Sequence, residues 1–219
     1  MEDGMAVILI LLLVFLYLIY RMTISGNYPH DIPLSPGTYR IGEDLDPGKG
    51  DMVATAGSGD ISILERGNGV WSNNFKLHVD SPSAPSRYRN LTLHPHDVLE
   101  INGSIKVMLT PPTAFTATDD IELCLGCYQF GIDIPAAKYD LKVTAGDGQI
   151  TFYKPKETEY SFYQDMNAAG DGKSNEYKNL QCDEGARLTV EGTLKVTLTK
   201  SAKQHGFMQK LLDHLNQQP

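Results

Sequence analysis

From Gly42 onward the chain repeats itself at a fixed interval of 89 residues. The stretch Gly42-Glu-Asp-Leu-Asp-Pro-Gly-Lys-Gly-Asp-Met-Val-Ala-Thr-Ala-Gly-Ser-Gly-Asp-Ile-Ser-Ile63 returns as Gly131-Ile-Asp-Ile-Pro-Ala-Ala-Lys-Tyr-Asp-Leu-Lys-Val-Thr-Ala-Gly-Asp-Gly-Gln-Ile-Thr-Phe152, with nine of 22 positions identical. The register holds to the end of each copy, where Asn90, Leu99, Gly103, Val107 and Leu109 recur as Asn179, Leu188, Gly192, Val196 and Leu198. No net insertion separates the copies, so whatever fold one adopts the other must be able to adopt, and the chain reads as one small unit used twice. At 219 residues this gives two units of roughly 75 residues, each with a thin core. The division expected is 1–24 anchor, 25–37 linker, 38–111 first repeat, 112–126 linker, 127–200 second repeat and 201–219 C-terminal helix and tail.

Within each copy the pattern is that of strands. Lys138-Tyr-Asp-Leu-Lys-Val-Thr144 alternates apolar and polar residues, stops at Ala-Gly-Asp-Gly, and resumes as Gln-Ile-Thr-Phe-Tyr. Asp97–Thr110 and Ala186–Thr199 are each two alternating runs joined at Asn102-Gly103 or Glu191-Gly192, which predicts a hairpin whose turn needs positive φ. The expected fold is mainly β: an N-terminal transmembrane helix, two homologous small antiparallel sandwiches or rolled sheets, and a short C-terminal amphipathic helix over 207–215. The middles of the copies differ, as they do where binding sits on loops carried by a common frame.

Residues 5–20 carry no charge and no helix breaker. As a helix they span about 24 Å, close to a ~30 Å hydrocarbon core, with Met22 and Ile24 able to extend them. A secretory signal would start with Lys or Arg and end at a small-x-small site, whereas Glu2 and Asp3 stand at the start here. The segment is therefore expected to remain as an anchor in membrane lipid. Arg21 follows it and no cation precedes it, which favours a cytoplasmic position for the bulk of the chain, as do three cysteines, too few for a disulfide scaffold. A net charge of −8 without a Lys/Arg run argues against nucleic acid as a partner.

The segment Gly131-x-Asp-Ile-Pro-Ala-Ala-x-Tyr139, followed by an alternating strand, a Gly-rich turn and a late strand, resembles a small β domain of many membrane-anchored Gram-positive envelope proteins. The first copy keeps Gly42, Asp44, Pro47 and Gly48 but has Gly50 where the motif has Tyr. The resemblance implies an anchored β architecture facing outward, opposite to the side favoured by Arg21, and brings no catalytic residues. The motif residues themselves read as structural, with Gly for a turn, Asp capping it and Pro setting φ.

Candidate chemistry is sparse. Trp71, Tyr88, Tyr160, Phe162 and Tyr163 are the aromatic residues that could form a binding surface for a protein or glycan partner. Cys124-Leu-Gly-Cys127 has the spacing of a redox pair, though it precedes a strand and not a helix. His94 and His96, two apart beside Asp97, could share a strand face and hold a metal, although the matching Asp183–Ala186 reads as a turn. Asp165–Glu176 approaches a calcium loop but has Lys173 where a ligand belongs. No phosphate-loop, nucleophile-elbow or zincin motif occurs, and no cofactor is expected. The reading favoured is a non-catalytic binding or scaffolding protein, with a thiol redox protein or a metal-dependent module as the alternatives.

Overall fold

The computed structural model describes residues 12, 14–15, 26–65, 70–79, 81, 84–115, 120–157 and 159–201, with side chains 70–72 left aside. Among these residues the fold is mainly β. The first half holds β1 (Ile32–Leu34), β2 (Gly37–Arg40), β3 (Gly48–Ala56), β4 (Ser58–Glu65), β5 (Val70–His78), β6 (Arg87–Leu93), β7 (Val98–Gly103) and β8 (Lys106–Thr110). The second holds β9 (Asp120–Leu123), β10 (Gly126–Gln129), β11 (Ala137–Ala145), β12 (Asp147–Tyr153), β13 (Phe162–Asn167), β14 (Glu176–Cys182), β15 (Arg187–Val190) and β16 (Lys195–Lys200).

These strands form three sheets. Two have four strands, in the orders β2-β7-β4-β5 and β14-β11-β16-β9; the third has eight, in the order β1-β8-β3-β6-β10-β15-β12-β13. Each half of the eight-stranded sheet covers one core. One cluster of buried residues includes Met52, Ile61, Leu91, Leu99 and Leu109; the other includes Tyr128, Tyr139, Ile150, Leu188 and Leu198.

The two halves of the large sheet meet where β6 and β10 run parallel, with Gly126 opposite Arg89 and the Arg89 N–H donating to Leu125 O at 2.9 Å. Parallel partners share a face, so Arg89 points the same way as Tyr128, into the side occupied by the second core. Its guanidinium lies over the Phe115 ring, which in turn meets Tyr128 edge-on. Tyr88 and Leu125 point the other way and belong to the first core. The two cores therefore lie on opposite faces of one continuous sheet. Lys49 Nζ bonds Asp133 Oδ1 at 2.6 Å across the junction, with both side chains largely buried.

Several expectations are corrected. The runs joined at Asn102-Gly103 and Glu191-Gly192 are not hairpins: β7 pairs with β2 and β4 while β8 pairs with β1 and β3, and β15 and β16 separate likewise. The turn glycines do have positive φ (+99° and +75°), but the chain crosses there from one sheet to the facing one. Both runs bury alternate residues because both look into the same core. These crossings press against the β3–β4 and β11–β12 corners, where a Cβ on Gly57 or Gly146 would come within 2.3 or 2.1 Å of the Ser104 or Thr193 carbonyl oxygen. The stretches read as linkers also hold ordered structure: 25–37 contains β1 and the buried Tyr28, and 112–126 contains β9.

Leu12, Val14 and Phe15 are helical and exposed; the rest of the expected anchor 5–20 and the expected helix 207–215 lie outside the described residues. No helix among the described residues is long and apolar enough to cross a membrane.

The repeated motif has a structural basis. Asp44 Oδ2 accepts the Arg40 N–H at 2.8 Å, and Asp133 Oδ2 accepts the Gln129 N–H at 2.8 Å, each closing a turn around Gly42 or Gly131. Tyr39 and Tyr128 each brace the residue four positions earlier, the hydroxyl donating to the Ser35 or Cys124 carbonyl and accepting the same residue's N–H. In the second half Tyr139 donates to Pro135 O at 2.8 Å. Gly50 occupies the matching position of the first half, and Tyr28 fills the space: its hydroxyl donates to Asp46 O at 2.6 Å, and its ring lies where a Cβ on Gly50 would be 2.9 Å away. A ring supplied from residues upstream thus replaces the one missing from the motif.

Candidate ligand-binding face

The second half of the large sheet has one face on its core and one turned away from it, exposed at Tyr163, Arg187 and Glu191. On β12 the inward Ile150 and Phe152 alternate with Gln149, Thr151 and Tyr153. Strand register then sets three rows across the outer face. Tyr163, Thr151, Thr189 and Cys127 form one; Tyr153, Arg187 and Gln129 a second; Asp165, Gln149 and Glu191 a third. Tyr160 and Tyr163 are both 55% exposed, and their rings meet edge to face with centroids 5.4 Å apart. The Arg187 guanidinium lies 4.7 Å from the Tyr153 ring centroid, a contact that holds both groups in place. Gln149, Thr151, Tyr153, Tyr160, Tyr163 and Glu191 enclose a shallow depression. Glu191 has its carboxyl raised above the ordinary range by lost hydration. The face thus offers exposed rings beside hydroxyls, amides, the Arg187 guanidinium and the Asp165 and Glu191 carboxyls.

Of the other aromatic candidates, Tyr88 is corrected. It is 4% exposed, packs on Phe75 at 4.3 Å and belongs to the first core, where burial raises its phenol well above the usual value. Phe162 packs between Phe152 and Tyr177. Trp71 lies on β5 opposite Leu64, with its side chain outside the described residues.

The metal candidates His94, His96, Asp165 and Glu176 are not brought together as ligand sets. His94 and His96 do not share a strand face: residues 94–97 form a turn in which His96 has φ +74° and the Asp97 carboxylate caps the His94 N–H at 2.8 Å. Asp165 lies on β13 and Glu176 on β14, in different sheets. Asn167 accepts the Ala169 N–H, and Lys173 pairs with Asp147 at 2.8 Å, so the loop supplies its own cation. Among the described residues no three His, Cys, Asp or Glu side chains converge as a metal-holding group.

Cys124 lies beside the Tyr128 hydroxyl, on the core side of β10, while Cys127 faces the opposite way, toward Thr189. Both thiols are free, and burial raises that of Cys127, the reverse of what an attacking thiolate needs. Cys124 takes the place of Ser35 in a turn that uses its backbone.

Sequence reasoning missed the junction between the halves. Asn90 is 4% exposed and its Nδ2 has no hydrogen-bond partner, whereas the matching Asn179 is exposed. Both asparagines have left-handed φ, and their N–H groups are held by Asp51 and Asp140. The recurrence of Asp and Asn at the same interval was the available signal for that latch. Nothing in a single copy could have signalled which of the two would be covered. No protein-family model matches the chain, and no curated protein matches it.

Proposed function

We propose that this chain is a membrane-anchored, non-catalytic binding protein. Residues 5–20 hold it in lipid, two tandem β domains form its body, and the outer face of β12, β13 and β15 receives a glycan. The observation that carries this reading is the exposed Tyr160–Tyr163 pair beside Tyr153 and Arg187. Exposed rings next to fixed hydrogen-bonding groups suit a sugar, which presents an apolar ring face and a rim of hydroxyls. The two-domain reading is supported by the strand pattern: β9 to β16 repeat β1 to β8, with partners matching at the 89-residue interval. The free and oppositely directed Cys124 and Cys127 lend the thiol alternative no support.

The test uses the full chain in non-ionic detergent, sedimented with insoluble bacterial cell-wall polysaccharide. Wild type should be depleted from solution, and Tyr160→Ala/Tyr163→Ala should bind more than tenfold less. Equal depletion of the two proteins, or none of wild type, would refute the assignment. The anchor requires that the full chain stay with membranes through alkaline carbonate, and that a chain lacking residues 1–24 be released.

A further inference from the structure

We infer that the chain carries a phosphate-binding pocket at the junction of its two halves, on the face of the large sheet opposite the tyrosines. Arg87 and Arg89 flank the buried Tyr88 on β6, so both project from the other face of that strand. Lys195, at the start of β16, faces them across a pocket of about 430 Å³ also lined by Ser86, Leu125 and Thr193. No carboxylate lines this pocket among the described residues. In a chain of net charge −8, three cations gathered with no counter-charge among the described residues repel one another unless an anion enters.

One of the three side chains is also fixed in place. Arg89 lies over the Phe115 ring at 4.9 Å, and its Nε is buried with no acceptor. None of the three cations makes an ion pair among the described residues, where Arg40, Lys49, Lys76, Lys173 and Lys178 do. Two guanidinium forks with an ammonium and the Ser86 hydroxyl match the several oxygens and near-double charge of a phosphate. A single carboxylate would leave two of the cations unpaired. The walls come from both halves, so the pocket exists only while β10 is docked on β6.

The phosphate could be carried by a soluble phosphorylated compound or by a lipid headgroup, and the experiment separates these. Inorganic phosphate and glycerol phosphate are titrated calorimetrically into the full chain in non-ionic detergent. Hydrogen exchange over residues 86–90 is then compared in phosphatidylcholine vesicles with and without phosphatidylglycerol. Saturable binding in the titration identifies the soluble source, and protection only with phosphatidylglycerol identifies the lipid; either supports the pocket. Arg87→Gln and Lys195→Gln should each weaken binding about tenfold, while Lys178→Gln should leave it unchanged. Circular dichroism of each variant separates loss of binding from loss of fold. Absence of binding and protection in every arm, or equal weakening by Lys178→Gln, would overturn the inference.

Discussion

Gly126 and Gly37 occupy the same position of the two halves, 89 residues apart, with nearly the same φ (+155° and +159°). Alanine at either should carry the same backbone cost, so the difference between the variants isolates the surroundings. A Cβ on Gly37 would meet its nearest neighbour at 3.8 Å, an ordinary contact. On Gly126 it would lie 2.5 Å from Arg89 O and 2.9 Å from Arg89 Cβ. Restoring van der Waals distance requires β6 and β10 to separate by about 1 Å, which stretches the 2.9 Å bond from Arg89 N–H to Leu125 O beyond useful length. Overpacking and one lost backbone bond together cost about 2–3 kcal/mol. Gly126→Ala should therefore melt roughly 4–12 °C below Gly37→Ala. Hydrogen exchange at Arg89 should accelerate in the first variant alone. Equal melting temperatures and an unchanged Arg89 amide would refute the idea that the parallel contact holds the halves together.

Tyr28→Ala should destabilise the first half by about 3–5 kcal/mol, because it removes a ring that is 3% exposed and a bond to Asp46 O; urea unfolding that leaves the midpoint unmoved would sink this. Ser201→Ala tests Asp140, whose carboxyl is held below its usual range by the Ser201 hydroxyl first and the Asn179 N–H second. A depressed carboxyl stabilises the fold above its unfolded value, near pH 4, and loses that effect as pH falls through the folded value. The gap between wild type and Ser201→Ala should thus be flat from pH 7 to 5 and close below about pH 4. Asp97 and Glu191, both raised by lost hydration, work in the opposite sense but are common to both proteins and cancel.

The sequence made the β class, the strand positions and the turn glycines legible, because alternation and positive φ are local properties. It did not make partners legible. Alternation in β7 and β8 says that Leu99 and Val107 face a core, and it says the same whether the strands pair or face each other across that core. Tyr160 and Tyr163 could be singled out as aromatic, but exposure separates them from Tyr88, and exposure depends on which strand edge the other half covers. The phosphate pocket was invisible for the same reason: Arg87 and Arg89 are near neighbours in sequence, while Lys195 comes from the other copy. Gly50 shows no partner in the sequence because the ring that fills the space beside it, Tyr28, comes from outside the motif.

That substitution of Tyr28 also sets a distance. With residues 5–20 in a bilayer, as proposed, only residues 21–25 separate the lipid from Gly26, whose carbonyl already accepts the Lys49 N–H. Five residues reach at most about 18 Å. On that proposal the first half would not wander on a long leash but ride just above the headgroups, with the β6–β10 contact and the Lys49–Asp133 pair holding the second half to it. A partner would have to come down to the membrane surface to be caught, and the face carrying Tyr160 and Tyr163 would meet it at a fixed height and not at the end of a swinging arm.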